Sequence, residues 1–184
     1  MEQKELYGGA LVVKLPSHAK DVSDFRQIPD NQEVFAHAVT DQSLIIEILE
    51  YVEGSDDDAI STHFGDLASD NDVGAEDCCI VHKETINPEN LSMTQCSAAY
   101  YIQGKQNVAK FNESAKNTVE IHMGLFRLPQ FESDILVTFN DPVNISPSSS
   151  SHHAVPTSAA PWTTDDFRGI LTSFSIENED IFGA

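Results

Sequence analysis

Two periodicities alternate along this chain. At the start, Tyr7-Gly8-Gly9 reads as a turn, and Ala10-Leu11-Val12-Val13-Lys14, stopped by Pro16, reads as a first strand. Residues 21–29 are too polar and too broken for a long element, although Asp21-Val22-Ser23-Asp24-Phe25 suits a single helical turn. Residues 32–38 mix polar and apolar side chains as a short strand does. The clearest helical pattern spans 41–52. There Leu44, Ile45, Ile48, Leu49 and Val52 share one face, Glu47 and Glu50 stand one turn apart on the other, and Asp41 is placed to cap. A second, shorter helix is expected around 57–64. From Cys78 the period becomes two, and strands are expected over 78–83, 97–103, 118–126 and 133–140. The connection after the second of these carries an expected helix over 107–114. A last helix starts after Trp162, with Thr163 as N-cap, Asp166 at its third position and Phe167, Ile170, Leu171 and Phe174 as its buried stripe. The pattern predicts an α+β fold: an α/β/α sandwich around a mainly antiparallel sheet of about six strands, with helices on both faces.

A length of 184 residues with 40% hydrophobic side chains, ten of them Phe, fits one domain with a real core. Residues 144–160, rich in Ser and Pro, read as a mobile loop within it. No apolar run approaches the ~20 residues that span a bilayer, and the first residues, Met1-Glu2-Gln3-Lys4-Glu5, do not resemble a signal peptide.

Charge changes the picture most. Thirty acids against ten bases give a formal net charge of -20. Such a chain repels phosphate backbones and anionic membranes, so neither nucleic-acid binding nor membrane insertion is expected. The excess is concentrated between Asp21 and Asp77, where sixteen acids face one base, Arg26, for -15 of the total. That stretch is either a solubilising face or a docking surface for a positive patch on a partner.

Candidate chemistry is sparse. The seven histidines show no H-E-x-x-H spacing, and the three cysteines, Cys78, Cys79 and Cys96, show no C-x-x-C, so no metal, cofactor or disulfide is expected. The cysteines read as reduced, buried thiols. No G-x-S-x-G elbow is present, and Gly104-Lys105 lacks the preceding glycine of a phosphate-binding loop. A carboxylate-pair hydrolase built on Glu47 and Glu50 remains as a rival from another class. The segment from Asp21 to Phe35 is a surface stretch in which Arg26 sits among carboxylates. A guanidinium there serves either as a clamp on Asp30 or Glu33 or as a contact to an acid on a partner; the crowding of like charges favours the clamp.

The run D-V-S-D-F-R-Q-I-P-D-N-Q-E-V-F resembles the Ran guanine nucleotide release factors, the Mog-type nuclear import factors. The likeness continues through Leu6-Tyr7-Gly8-Gly9-Ala10, Thr40-Asp41-Gln42-Ser43-Leu44-Ile45, Arg127-Leu128-Pro129-Gln130-Phe131, Ala160-Pro161-Trp162 and Ile181-Phe182-Gly183, and so covers essentially the whole chain. It implies a single PsbP-like domain over 1–184. It also implies a monomer of nucleus and cytoplasm that binds the basic surface of the GTPase Ran, releases its guanine nucleotide without bond chemistry and supports nuclear protein import. Ran-binding proteins in a ternary complex are further implied partners. The positions matching the family's acidic Ran-binding face are Asp21, Arg26, Asp30, Glu33, Glu47 and Glu50. An alternative keeps the acidic face but makes the protein an adaptor or chaperone-like binder of basic proteins, without nucleotide release.

Overall fold

The computed structural model describes residues 1–109, 116–144 and 160–183. The N-terminus forms a hairpin of β1 (Glu2–Leu6) and β2 (Leu11–Leu15) across the Tyr7–Gly9 turn. Then follow β3 (Ala19–Asp21), a single 3-10 turn over Val22–Asp24, β4 (Gln32–His37) and β5 (Ser43–Glu50). Helix α1 (Asp56–Asp70) precedes four long strands, β6 (Cys78–Thr85), β7 (Ala98–Ala109), β8 (Lys116–Leu128) and β9 (Ser133–Asn144). Helix α2 (Thr164–Ser173) and the two-residue β10 (Ser175–Ile176) close the chain.

Seven strands pair antiparallel in the order β3-β4-β5-β9-β8-β7-β6, and β1-β2-β10 make a small second sheet. The expected α+β sandwich is therefore present, with seven strands in the main sheet instead of about six. Strand alternation divides the core in two. On one face Ile102, Ile121, Met123, Leu125 and Leu136 pack under Ala59, Ile60 and Phe64 of α1. On the other Phe35, Leu44, Ile46, Phe126, Val137 and Phe139 pack under α2 and the small sheet. Two glycines let the helices come this close. A Cβ on Gly104 would stand 2.3 Å from the Phe64 ring, and one on Gly124 would stand 2.2 Å from Leu171 Cδ2.

Both helices begin on capping boxes, Ser55 with Asp58 and Thr163 with Asp166. The second is the one expected from the sequence. Helix α1 runs longer than the expected 57–64, and Asp56, Asp57 and Asp58 in its first turn complement its dipole.

The expected helix over 41–52 is wrong: this segment is β5, a strand between β4 and β9. Its helical look came from apolar side chains on both faces, which suit the amphipathic template and a doubly covered strand alike. Residues 107–109 of the expected helix over 107–114 belong to β7, and 110–115 lie outside the described residues. All of the Ser/Pro-rich stretch except Asn144 and Ala160 also lies outside them. The cysteines are free but not buried: Cys78 and Cys96 are half-buried and Cys79 is exposed.

Candidate functional site

The signature segment is the connection from β3 to β4 at one edge of the main sheet. Its entry is fixed by Asp21, whose Oδ1 accepts from Ser23 N at 2.9 Å and Ser23 Oγ at 2.6 Å. The Val22 carbonyl then accepts from the backbone N–H groups of Phe25 (3.0 Å) and Arg26 (3.1 Å). The exit is fixed from the far end of the sequence segment. Ile48 N donates to Asn31 O at 3.0 Å, and Gln32 N donates to Pro29 O at 3.0 Å.

Tyr7 ties this loop to the N-terminal hairpin. Its φ of 50° is in the left-handed region, as are those of Gly8 and Gly9. That strained turn puts the Tyr7 N–H 2.7 Å from Glu33 Oε1 and its hydroxyl between the carbonyls of Ile46 (2.9 Å) and Asn31 (3.1 Å). Burial, then the charges of Glu33 and Glu47, push the phenol far above its ordinary value, so it stays a neutral hydrogen-bonding group.

The six candidate residues do not form one cluster. Asp21 pairs with Phe35, Glu33 with Ile46, and Glu50 lies two positions beyond Ile48, so alternation puts these three acids on the small-sheet face. Arg26 and Asp30 are exposed on the loop between. Glu47 is turned to the opposite face, toward α1. It is only 9% exposed, accepts from Gln32 Nε2 at 2.7 Å, and has its pKa raised by burial. The expectation that Glu47 and Glu50 project to solvent together from a helix is therefore overturned for Glu47, because residues three apart in a strand face opposite ways. Glu50 is exposed.

The Arg26 clamp is also absent. Among the described residues Arg26 pairs with no carboxylate, and Glu33 is engaged by Tyr7 instead. Sequence reasoning also passed over two residues. Tyr7 was legible only as part of a turn, although its neighbours Gly8 and Gly9 were the signal for an unusual backbone. Phe25 lies at the loop's tip with 77% of its surface exposed.

Comparison with known proteins bears on this geometry. The family described as "Ran-interacting Mog1 protein" matches residues 4–142, which carry the hairpin, the signature loop and six strands of the main sheet beyond β3. This chain belongs to that family. It is 50% identical to the Ran guanine nucleotide release factor of Danio rerio, with 98% of this chain and 99% of that protein covered. To the Homo sapiens protein of the same name it is 42% identical, with 97% and 95% covered. The nuclear import protein mog1 of Schizosaccharomyces pombe is 33% identical over 84% of each chain. The solved structure of the Ran-binding protein Mog1p of Saccharomyces cerevisiae shares the fold, with a TM-score of 0.74 at 22% identity over 98% of this chain and 97% of that one. The matched residues include the β3–β4 loop held by Asp21, Tyr7 and Asn31.

Proposed function

We propose that this protein binds Ran and promotes release of its guanine nucleotide, in support of nuclear protein import. The observation that carries the reading is the 50% identity, over nearly the full length of both chains, to a protein named for that activity. The acidic loop adds a physical reason. Asp21, Arg26, Asp30, Glu33 and Glu50 make the Ran-facing surface, with Glu47 holding the β4–β5 ladder behind it.

A GTPase holds its nucleotide through a phosphate-binding Lys, a magnesium ion and two switch loops. Carboxylates presented on a fixed backbone compete with the phosphates for that Lys or draw the switch loops away. Release is accelerated when the protein binds nucleotide-free Ran more tightly than loaded Ran, and by linkage the nucleotide then weakens the complex by the same factor. No bond is made or broken, so the protein acts as a binder and not as an enzyme. The whole chain works as one domain, a monomer of nucleus and cytoplasm, and leaves room for Ran-binding proteins in a ternary complex.

The test is release of a fluorescent guanine nucleotide from Ran, with and without magnesium. Faster release on adding the protein is the expected result. Binding without acceleration would instead support the adaptor reading, and neither binding nor acceleration would sink both.

A further inference from the structure

Among the described residues Phe25 is the only exposed phenylalanine. Phe35, Phe64, Phe126, Phe139, Phe167 and Phe174 are buried in the two cores, and the half-buried Phe131 and Phe182 stack on each other with ring centroids 4.7 Å apart. Phe25 is 77% exposed at the tip of the β3–β4 connection. Leaving an aromatic side chain in water is unfavourable, and this ring belongs to neither core cluster.

The backbone beneath it is not free to fold the ring away. Asp21 caps the turn through Ser23, and the Val22 carbonyl accepts from both Phe25 N and Arg26 N. The backbone that carries the ring is therefore already ordered in the free protein, so that part of the ordering cost is not paid again on association. Its sequence neighbours, Asp24 and Arg26, and Asp30 farther along the loop are all exposed and charged. An aromatic side chain ringed by polar groups that exclude water is the usual composition of an interface hot spot.

We infer that Phe25 is the apolar anchor of this loop, seated in an apolar recess on Ran whose rim is basic. This rests on the reading that the loop faces Ran. The acids select the rim by charge, and the ring supplies the contact that holds the complex once formed.

Full-length wild type, Phe25→Ala and Phe25→Leu, each titrated against purified Ran by biolayer interferometry with parallel thermal melts, test the inference. Phe25→Ala should bind roughly tenfold to a hundredfold more weakly, mainly through a faster off-rate. Phe25→Leu should recover most of that loss, and both variants should melt within about a degree of wild type. An alanine variant that binds within about twofold of wild type overturns the anchor and leaves the Ran reading standing. So does a fall in melting temperature of many degrees, which would make Phe25 structural. Wild type that fails to bind Ran at all removes the reading on which the inference rests.

Discussion

Glu47 is a carboxylate set against an apolar layer. Burial raises its pKa, the Gln32 amide offsets part of that, and Asp70 at the end of α1 adds repulsion. A raised native pKa means that the folded protein keeps this proton to higher pH than the unfolded chain does. Stability from this group is therefore present at low pH and is lost as pH rises through the raised value. Glu47→Gln removes the titration, so its stability advantage over wild type in urea should be largest at neutral pH and shrink as the pH is lowered toward the ordinary carboxylate range. An advantage that does not change with pH would mean Glu47 is ionised in the fold without penalty. Arg26 makes the opposite case, a charged side chain with no partner among the described residues. Arg26→Ala should leave the melting temperature unchanged while weakening Ran binding, and in a double-mutant cycle with Asp30→Ala the stability effects should add. Coupling between the two in the free protein would restore the internal clamp. At this scale the sequence was only half legible. The order of residues marked the loop, yet which carboxylate meets which donor depends on Tyr7, 26 positions from Glu33, and no local pattern reports that bond.

Between α1 and the sheet lies the most consequential pairing of elements. Arg127 of β8 is fully buried, with Nε donating to Asp134 Oδ1 at 2.8 Å, Nη1 to Asp56 Oδ1 at 3.0 Å and Nη2 to the Val52 carbonyl at 2.5 Å. Asp134, also fully buried, takes His63 Nε2 at 2.9 Å and Val52 N at 3.1 Å on its other oxygen. One guanidinium thus joins β8, β9, the start of α1 and the segment leading into it, and its plane lies over the Tyr51 ring. Arg127→Leu would leave the Asp134 carboxylate without its buried counter-charge, and a loss of about 3–5 kcal/mol is expected in urea titration. A loss below about 1 kcal/mol would mean that water or His63 replaces the arginine. The same scale explains what the hydrophobic pattern could and could not say. The strands expected over 97–103, 118–126 and 133–140 followed from period-two runs and the capped α2 from Thr163 with Asp166, whereas the helix expected over 107–114 did not, since 107–109 continue β7. The β5 segment did not, because Ile45, Ile46 and Ile48 fill a strand covered on both faces, where alternation disappears. Their β-branched side chains were the neglected sign of a strand.

Across the whole molecule the charge is sorted as well as abundant. Several bases are already spent on acids outside the loop: Lys83 on Asp57, Lys116 on Asp77, Lys105 on Glu120 and Arg168 on Glu84. These pairs sit along α1, the β6–β8 end of the sheet and α2, at the opposite end of the strand order from β3 and β4. The signature loop keeps Asp24 and Asp30 exposed beside the unpaired Arg26, and its one ion pair among the described residues is the distant contact of Lys4 with Asp21, at 3.8 Å. Asp24 and Asp30 therefore place unpaired negative charge where the partner is proposed to dock, and its field acts before contact, over a distance set by the ionic strength. That distance shrinks from about 30 Å at 0.01 M salt to about 8 Å at 0.15 M. The on-rate for Ran should accordingly fall by about tenfold or more across that range, while the off-rate, set by short-range contacts, changes little. Stopped-flow association of Ran with wild type at several salt concentrations measures this directly. The slope should lessen for Asp24→Asn combined with Asp30→Asn and stay unchanged for Asp57→Asn, whose acid is paired with Lys83 at the other end of the molecule. An on-rate indifferent to salt, or a slope that responds equally to both sets of substitutions, would return the acidic excess to a general solubilising role.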